Sequence, residues 1–137
     1  MDNISIITQQ AFIGSLLSKK LDLSLSVHGV SFTEFTIMYH LHSAYESKLS
    51  RVHLAEKIGL TASGVTRVLL PMEKNHLVFK ESNPRDARQS LVVLTDVGHE
   101  VLTDALVTVK HTADSIFSLL DQEELSTLQI IINKLKL

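Results

Sequence analysis

The sequence predicts a mainly α-helical chain with one small β-hairpin, and three observations carry that prediction. Apolar residues recur at helical spacing over long stretches at both ends of the chain. Between Arg51 and Asn75, two short helical patterns are separated by Gly59, and each starts on a hydroxyl residue suited to capping. Two β-prone runs, Leu77–Glu81 and Leu91–Leu94, then flank the turn-rich segment SNPRDARQS. Together these describe a winged helix-turn-helix with helices before and after it. At 137 residues the chain is expected to be one domain. Residues 31–95 would form the winged lobe, and 1–30 and 96–137 the dimerisation helices.

The chain opens with a helical pattern from Ile4 to about Leu21, with Ile4, Ile7, Ala11, Phe12, Leu16 and Leu17 apolar. From Leu21 to Val27 the residues alternate apolar and polar, which is the period of a strand. His28-Gly29 breaks the chain. Ser31 and Glu34 have the spacing of a capping box. They open a helix from about Phe32 to Glu46 that is apolar nearly all round, with Phe35, Ile37, Met38, Tyr39, Leu41, Ala44 and Tyr45. A helix with so little polar face is expected to be buried on several sides.

In the helix pair, Ser50 caps a helix whose stripe is Val52, Leu54, Ala55 and Ile58. Gly59 allows the left-handed exit, Leu60 plugs the turn, and Thr61 caps the second helix. That helix, Thr61 to Asn75, buries Val65, Val68, Leu69 and Met72. Its outer N-terminal face holds Ala62, Ser63, Gly64, Thr66 and Arg67. Small and polar residues there let a backbone approach phosphates and base edges in a major groove. Arg67 is the candidate for a base edge, most often guanine. Thr66 could touch a thymine methyl or a phosphate, and Lys74 adds a cation further along. A plain helical hairpin with a solvated face has the same pattern, and the wing separates the two readings. Its tip presents Arg85 and Arg88, well placed for a phosphate or a minor groove. Asp86 between them is expected to pair with an arginine and hold the tip in shape.

After the wing, Thr95 caps a long helix that runs to about Leu120, with Asp96 favourable at its positive end. Asp121 and Glu124 form a second capping box. The last helix presents Leu125, Leu128, Ile131, Ile132 and Leu135. So apolar a terminal helix is expected to pack with the first helix across a two-fold interface.

Hydrophobic residues make up 45% of the chain and mean hydropathy is +0.18, high for a small globular protein and in keeping with a dimer interface. No apolar run reaches membrane-spanning length and no signal-peptide pattern opens the chain, so the expected location is the cytoplasm. The absence of cysteine excludes disulfides and thiol redox switching. A net charge of −2 looks wrong for a nucleic-acid binder. However, Lys48–Arg88 holds eight Lys and Arg against four Asp and Glu, so that segment is +4 and the remainder −6.

The motif Asp86-x-Arg88, then Leu94-Thr95 and Gly98, resembles the MarR (multiple antibiotic resistance regulator) family of transcription regulators. So do Leu54-Ala55, Gly59-Leu60, Val65-Thr66-Arg67, and Glu73 followed by Leu77-Val78. The resemblance implies a homodimer on double-stranded DNA at a pseudo-palindromic operator, as in a repressor, with Arg88 in the minor groove and Asp86 bracing the wing. It also implies that the first helix continues past Leu21 into a short loop. The DNA-binding candidates are thus Ser50, Thr61, Ser63, Gly64, Thr66, Arg67, Lys74, Arg85, Asp86 and Arg88. Two positions depart from the family pattern. His76 stands where a glycine is usual, so Asn75 or His76 must take the left-handed cap. Pro71 lies inside the recognition helix, where it removes a hydrogen bond to the Arg67 carbonyl and should bend that turn.

The sequence contains no phosphate-cradling glycine loop, nucleophile elbow or zinc-protease helix, so no enzyme and no cofactor are expected. The seven histidines give no metal site by spacing. His40 and His42 fall on different helix faces, and one pair could meet across the fold, for instance His42 with His111. The resembled family often binds small aromatic or phenolic anions. Phe12, Phe35, Met38, Tyr39, His42 and Tyr45 are the candidates for such a pocket, although an aromatic stripe is also ordinary core. The other functional class left open is a winged-helix module for protein interaction with no operator of its own.

Overall fold

The computed structural model describes residues 2–135. Six α-helices and three short strands follow in the order α1 (Asn3–Leu25), α2 (Phe32–Ser43), β1 (Lys48–Ser50), α3 (Arg51–Ile58), α4 (Ala62–Lys74), β2 (Val78–Ser82), β3 (Ser90–Leu94), α5 (Asp96–Ile116) and α6 (Gln122–Lys134). This is the predicted mainly α architecture with a small β wing.

The local capping signals translate into structure. Ser31 with Glu34, and Asp121 with Glu124, make reciprocal capping boxes at the starts of α2 and α6. Ser50, Thr61 and Thr95 cap α3, α4 and α5 with their side-chain oxygens. The core lies where α2 meets the helix-turn-helix, the sheet and α5. Leu25, Ile37, Met38, Leu41, Leu54, Val65, Leu69, Met72, Val92 and Leu102 are fully buried there.

Four expectations need correction. Leu21 to Val27 is not the strand that its alternation suggests but the continued helix that the resemblance implies: α1 runs through Leu25 and a 3₁₀ turn covers Ser26–His28. Leu21 and Leu25, four apart and so neighbours on one helix face, are buried, while Leu23 and Val27 are exposed. The alternation was therefore a helix face with an apolar residue left outside it. Next, α2 stops at Ser43, short of Glu46. Glu46 and Ser47 adopt positive φ of 55° and 56°, which ends the helix and turns the chain toward β1. The long helix α5 ends at Ile116, before Leu120.

The wing, finally, is not only a hairpin. Lys48–Ser50 adds a third antiparallel strand, giving the order β1-β3-β2, with Leu49 opposite Val92 and Phe79 opposite Val93. This strand ties the wing to the start of α3.

The exit from α4 follows the family departure at residue 76. Pro71 is exposed and the helix continues through it to Lys74. His76 takes the left-handed conformation with φ 61°. The His76 amide donates to Glu73 O at 3.0 Å and the Leu77 amide to Met72 O at 2.9 Å. These two bonds form a Schellman cap, normally built on glycine.

Candidate nucleic-acid interface

The second helix of the pair, α4, presents two faces. Val65, Leu69 and Met72 are buried against the core. Ala62, Ser63, Arg67 and Leu70 are exposed on the other side, with Gly64 and Thr66 partly so. The N-terminal turn is tight: the Gly64 amide donates to Thr61 Oγ1 at 3.0 Å, and Thr61 Oγ1 lies 3.2 Å from Ser63 Oγ. The Thr66 hydroxyl donates to Ala62 O at 3.1 Å and accepts from Arg51 Nη1 at 3.0 Å. Its polar atom is thus engaged, and its methyl is what remains for a partner.

Arg51, absent from the sequence-based candidates, connects the parts. It is the first residue of α3 and reaches α4 through Thr66. With Ser50, Val52, Arg88, Gln89 and Ser90 it also lines a cleft of about 220 Å³ between the start of α3 and the base of the wing. Ser50 itself is buried, its hydroxyl accepting from the His53 amide at 3.2 Å.

At the wing tip the Asp86 carboxylate accepts from the Arg88 amide at 3.0 Å and from Arg88 Nε at 3.2 Å. Asn83 Oδ1 accepts from the Arg85 amide at 3.0 Å. These bonds shape the tip and leave the Arg85 guanidinium exposed without an ion-pair partner among the described residues.

Ion pairing also sorts the positive charge. Lys48 is held by Glu46 and Glu81 at 3.0 and 2.8 Å, Lys80 by Glu73 at 3.6 Å, and Arg88 by Asp86. The hydrogen bond from Lys48 holds the Glu46 carboxyl below its usual range, and Glu81 and Glu46 together raise Lys48. The net +4 of the segment therefore resides in Arg51, Lys57, Arg67, Lys74 and Arg85, less Glu56. Thr66, Arg51 and Arg88 are linked through the Thr66 bond and the Ser50–Arg88 cleft, with Ser63, Gly64 and Arg67 on the same turns of α4 as Thr66. Lys74 lies at the opposite end of α4, roughly 16 Å along the helix from Ser63 at 1.5 Å per residue.

The aromatic candidates separate. Phe35 and Tyr39, stacked at 6.2 Å, line a cleft of about 440 Å³ between α2 and α5 with Phe32, Thr36, His40, Leu106, Val109 and Lys110. Burial, and secondarily the charge of Lys57, pushes the His40 imidazole below its ordinary range. Met38 is sealed in the core, Phe12 is exposed on α1, and Tyr45 is 87% exposed in the turn after α2. His42 meets His99 rather than His111. Lys110 and His40, the polar groups of this cleft, were not among the candidates, because only the crossing of α2 and α5 reveals them.

Known proteins share both sequence and fold with this arrangement. Residues 30–90 match the MarR family model, from the loop before α2 to the base of β3. The HTH-type transcriptional regulator MhqR of Bacillus subtilis is 27% identical over 97 residues, which span 71% of this chain and 66% of MhqR. A MarR family regulator of Streptomyces coelicolor, Sco3205, solved in complex with DNA, superposes with a TM-score of 0.86 at 24% identity, covering 97% of this chain and 89% of that one. A MarR-like transcription regulator from Bacillus cereus superposes with a TM-score of 0.82 at 26% identity over 96% of this chain and 94% of its own. With the helix-turn-helix, the wing and the flanking helices in place, the chain resembles the MarR family of transcription regulators in sequence over its winged lobe and in fold over nearly its whole length.

Proposed function

We propose that this chain binds a pseudo-palindromic operator as a homodimer, with the N-terminal turns of α4 in the major groove of each half-site and the wings in the flanking minor grooves. The observation that carries this reading is the continuity of basic side chains from α3 to the base of the wing. Arg51 bonds to the recognition helix and shares a cleft with Arg88, so helix and wing offer one positive surface to a phosphate backbone. Arg67 is the residue for a base edge, and Ser63, Gly64 and Thr66 permit close approach. Arg85 reaches phosphate or minor groove beside Arg88, and Asp86 acts by orienting Arg88. The fold shared with Sco3205, a protein crystallised with DNA, supports this docking.

The two-fold interface falls to α1 and α6, whose large apolar side chains are exposed in the single chain. A small aromatic anion fits the α2–α5 cleft, where Phe35 and Tyr39 supply ring faces and Lys110 a cation. Its volume lies within the usual range for small-molecule sites. Binding between the winged lobe and the dimerisation helices would alter the spacing of the two recognition helices and relieve repression.

Selection of purified protein on a pool of random duplexes at moderate salt tests the proposal. Retained sequences should contain an inverted repeat with half-sites about one helical turn apart, and affinity should fall steeply with salt. Recovery of no common sequence, with weak salt dependence, would overturn it in favour of a protein-interaction module.

A further inference from the structure

One side-chain cluster has no part in the proposed function. His42 lies in the last turn of α2 and His99 in the first turn of α5. Their rings meet edge to face, centroids 5.2 Å apart, with the two Nδ1 atoms 3.2 Å from each other. His99 Nε2 lies 3.4 Å from the hydroxyl of Ser47, a residue held at φ 56° in the turn before β1. The end of α2, that turn and the start of α5 therefore converge on two imidazoles.

We propose that His42 and His99 form a two-imidazole site for a borderline divalent transition ion of the zinc type. With metal–nitrogen bonds of about 2.0–2.1 Å, two nitrogens at this separation subtend about 100° at the ion, close to tetrahedral. The Ser47 hydroxyl can accept the His99 Nε2–H, which leaves Nδ1 bare. That is the tautomer a metal requires, fixed by an outer hydrogen bond as in built sites. His42 is exposed, so its own proton can move to Nε2 and be solvated there.

Imidazole ligands without a carboxylate favour zinc, copper or nickel over magnesium or calcium. No group of three or more His, Cys, Asp or Glu surrounds the pair among the described residues, so water completes the coordination. The site is accordingly weaker than a structural zinc centre. An ion here would tie α2 to α5 and raise the stability of the folded chain by linkage.

Titration of the tag-free full-length protein with zinc chloride, followed by calorimetry, tests the proposal. The parent and a His111→Ala control should each bind one zinc per chain and melt at a higher temperature with zinc than with chelator. His42→Ala and His99→Ala should lose that ion and that shift, and Ser47→Ala should bind about tenfold more weakly. Because His42 is exposed, His42→Ala should melt like the parent in chelator, which separates loss of the site from loss of the fold. Magnesium should not compete. Absence of stoichiometric zinc in the parent would show an ordinary hydrogen-bonded pair, and undiminished binding by His42→Ala would place any zinc elsewhere. Either result overturns the proposal.

Discussion

Gly98 is required by packing. A Cβ at this position would overlap the Leu77 carbonyl and the Leu94 side chain, so the first turn of α5 sits directly against the backbone at the α4–β2 junction. Thr95 seals the same junction, its hydroxyl within bonding distance of the His76 and Leu77 carbonyls. Gly98→Ala should therefore cost about 1–3 kcal/mol through overpacking, seen as a lower midpoint in chemical denaturation. An unchanged midpoint would mean that α5 can slide away at little cost. His76 poses the reverse case. A left-handed conformation costs a residue with a Cβ about 1–2 kcal/mol, partly offset by the greater freedom glycine has when unfolded. His76→Gly should therefore stabilise the chain by up to about 1 kcal/mol, and a loss of stability would show that the imidazole itself contributes.

Arg51 bears on the roles of α3 and the wing. A cation at the first position of a helix opposes the helix dipole, typically by 0.3–1 kcal/mol, and α3 has no acid in its first turn to offset it. The bond from Arg51 Nη1 to Thr66 offsets that cost, and the proposed contact with phosphate gives the residue a second role. Arg51→Ala should lower thermal stability slightly, because the loss of the Thr66 bond outweighs relief of the dipole, while weakening operator binding and reducing the slope of log affinity against log salt by about 1. Arg67→Ala should instead relax discrimination at one base position by about 1–3 kcal/mol. If the two variants give the same pattern across operator sequences, the division between phosphate and base contact is wrong. What was legible in the sequence follows the same line between local and distant. Caps, the glycine turn and the Asp86–Arg88 brace depend on residues a few positions apart, and they were readable. Strand β1 was not, because Lys-Leu-Ser is extended only through its pairing with β3. Nor was the bond from Arg51 to Thr66, the meeting of Lys110 with Tyr39 across a cleft, or the choice of His99 as the partner of His42. Each depends on how helices cross, and periodicity carries no information about that.

The last helix raises a question about the assembly. In the single chain α6 has no buried residue, and Ile130, Ile131 and Ile132 are each about half exposed or more. An isolated helix of 13 residues is marginal in water, so α6 needs a partner surface, and α1 exposes Phe12, Ile13 and Leu16 on one apolar face. In the proposed homodimer both helices find that partner in a second copy of the chain, which also gives the two-fold symmetry an inverted repeat requires. Ile131→Glu places a carboxylate in that interface. By sedimentation the parent should have about twice the chain mass of 15.3 kDa and the variant should approach the single mass at low concentration. Operator affinity should fall with it, by about a hundredfold or more, because the second half-site is no longer held near the first. A variant that stays dimeric and binds like the parent would place the interface elsewhere. One that dissociates yet binds operator as tightly would show that each winged lobe recognises DNA without its twin.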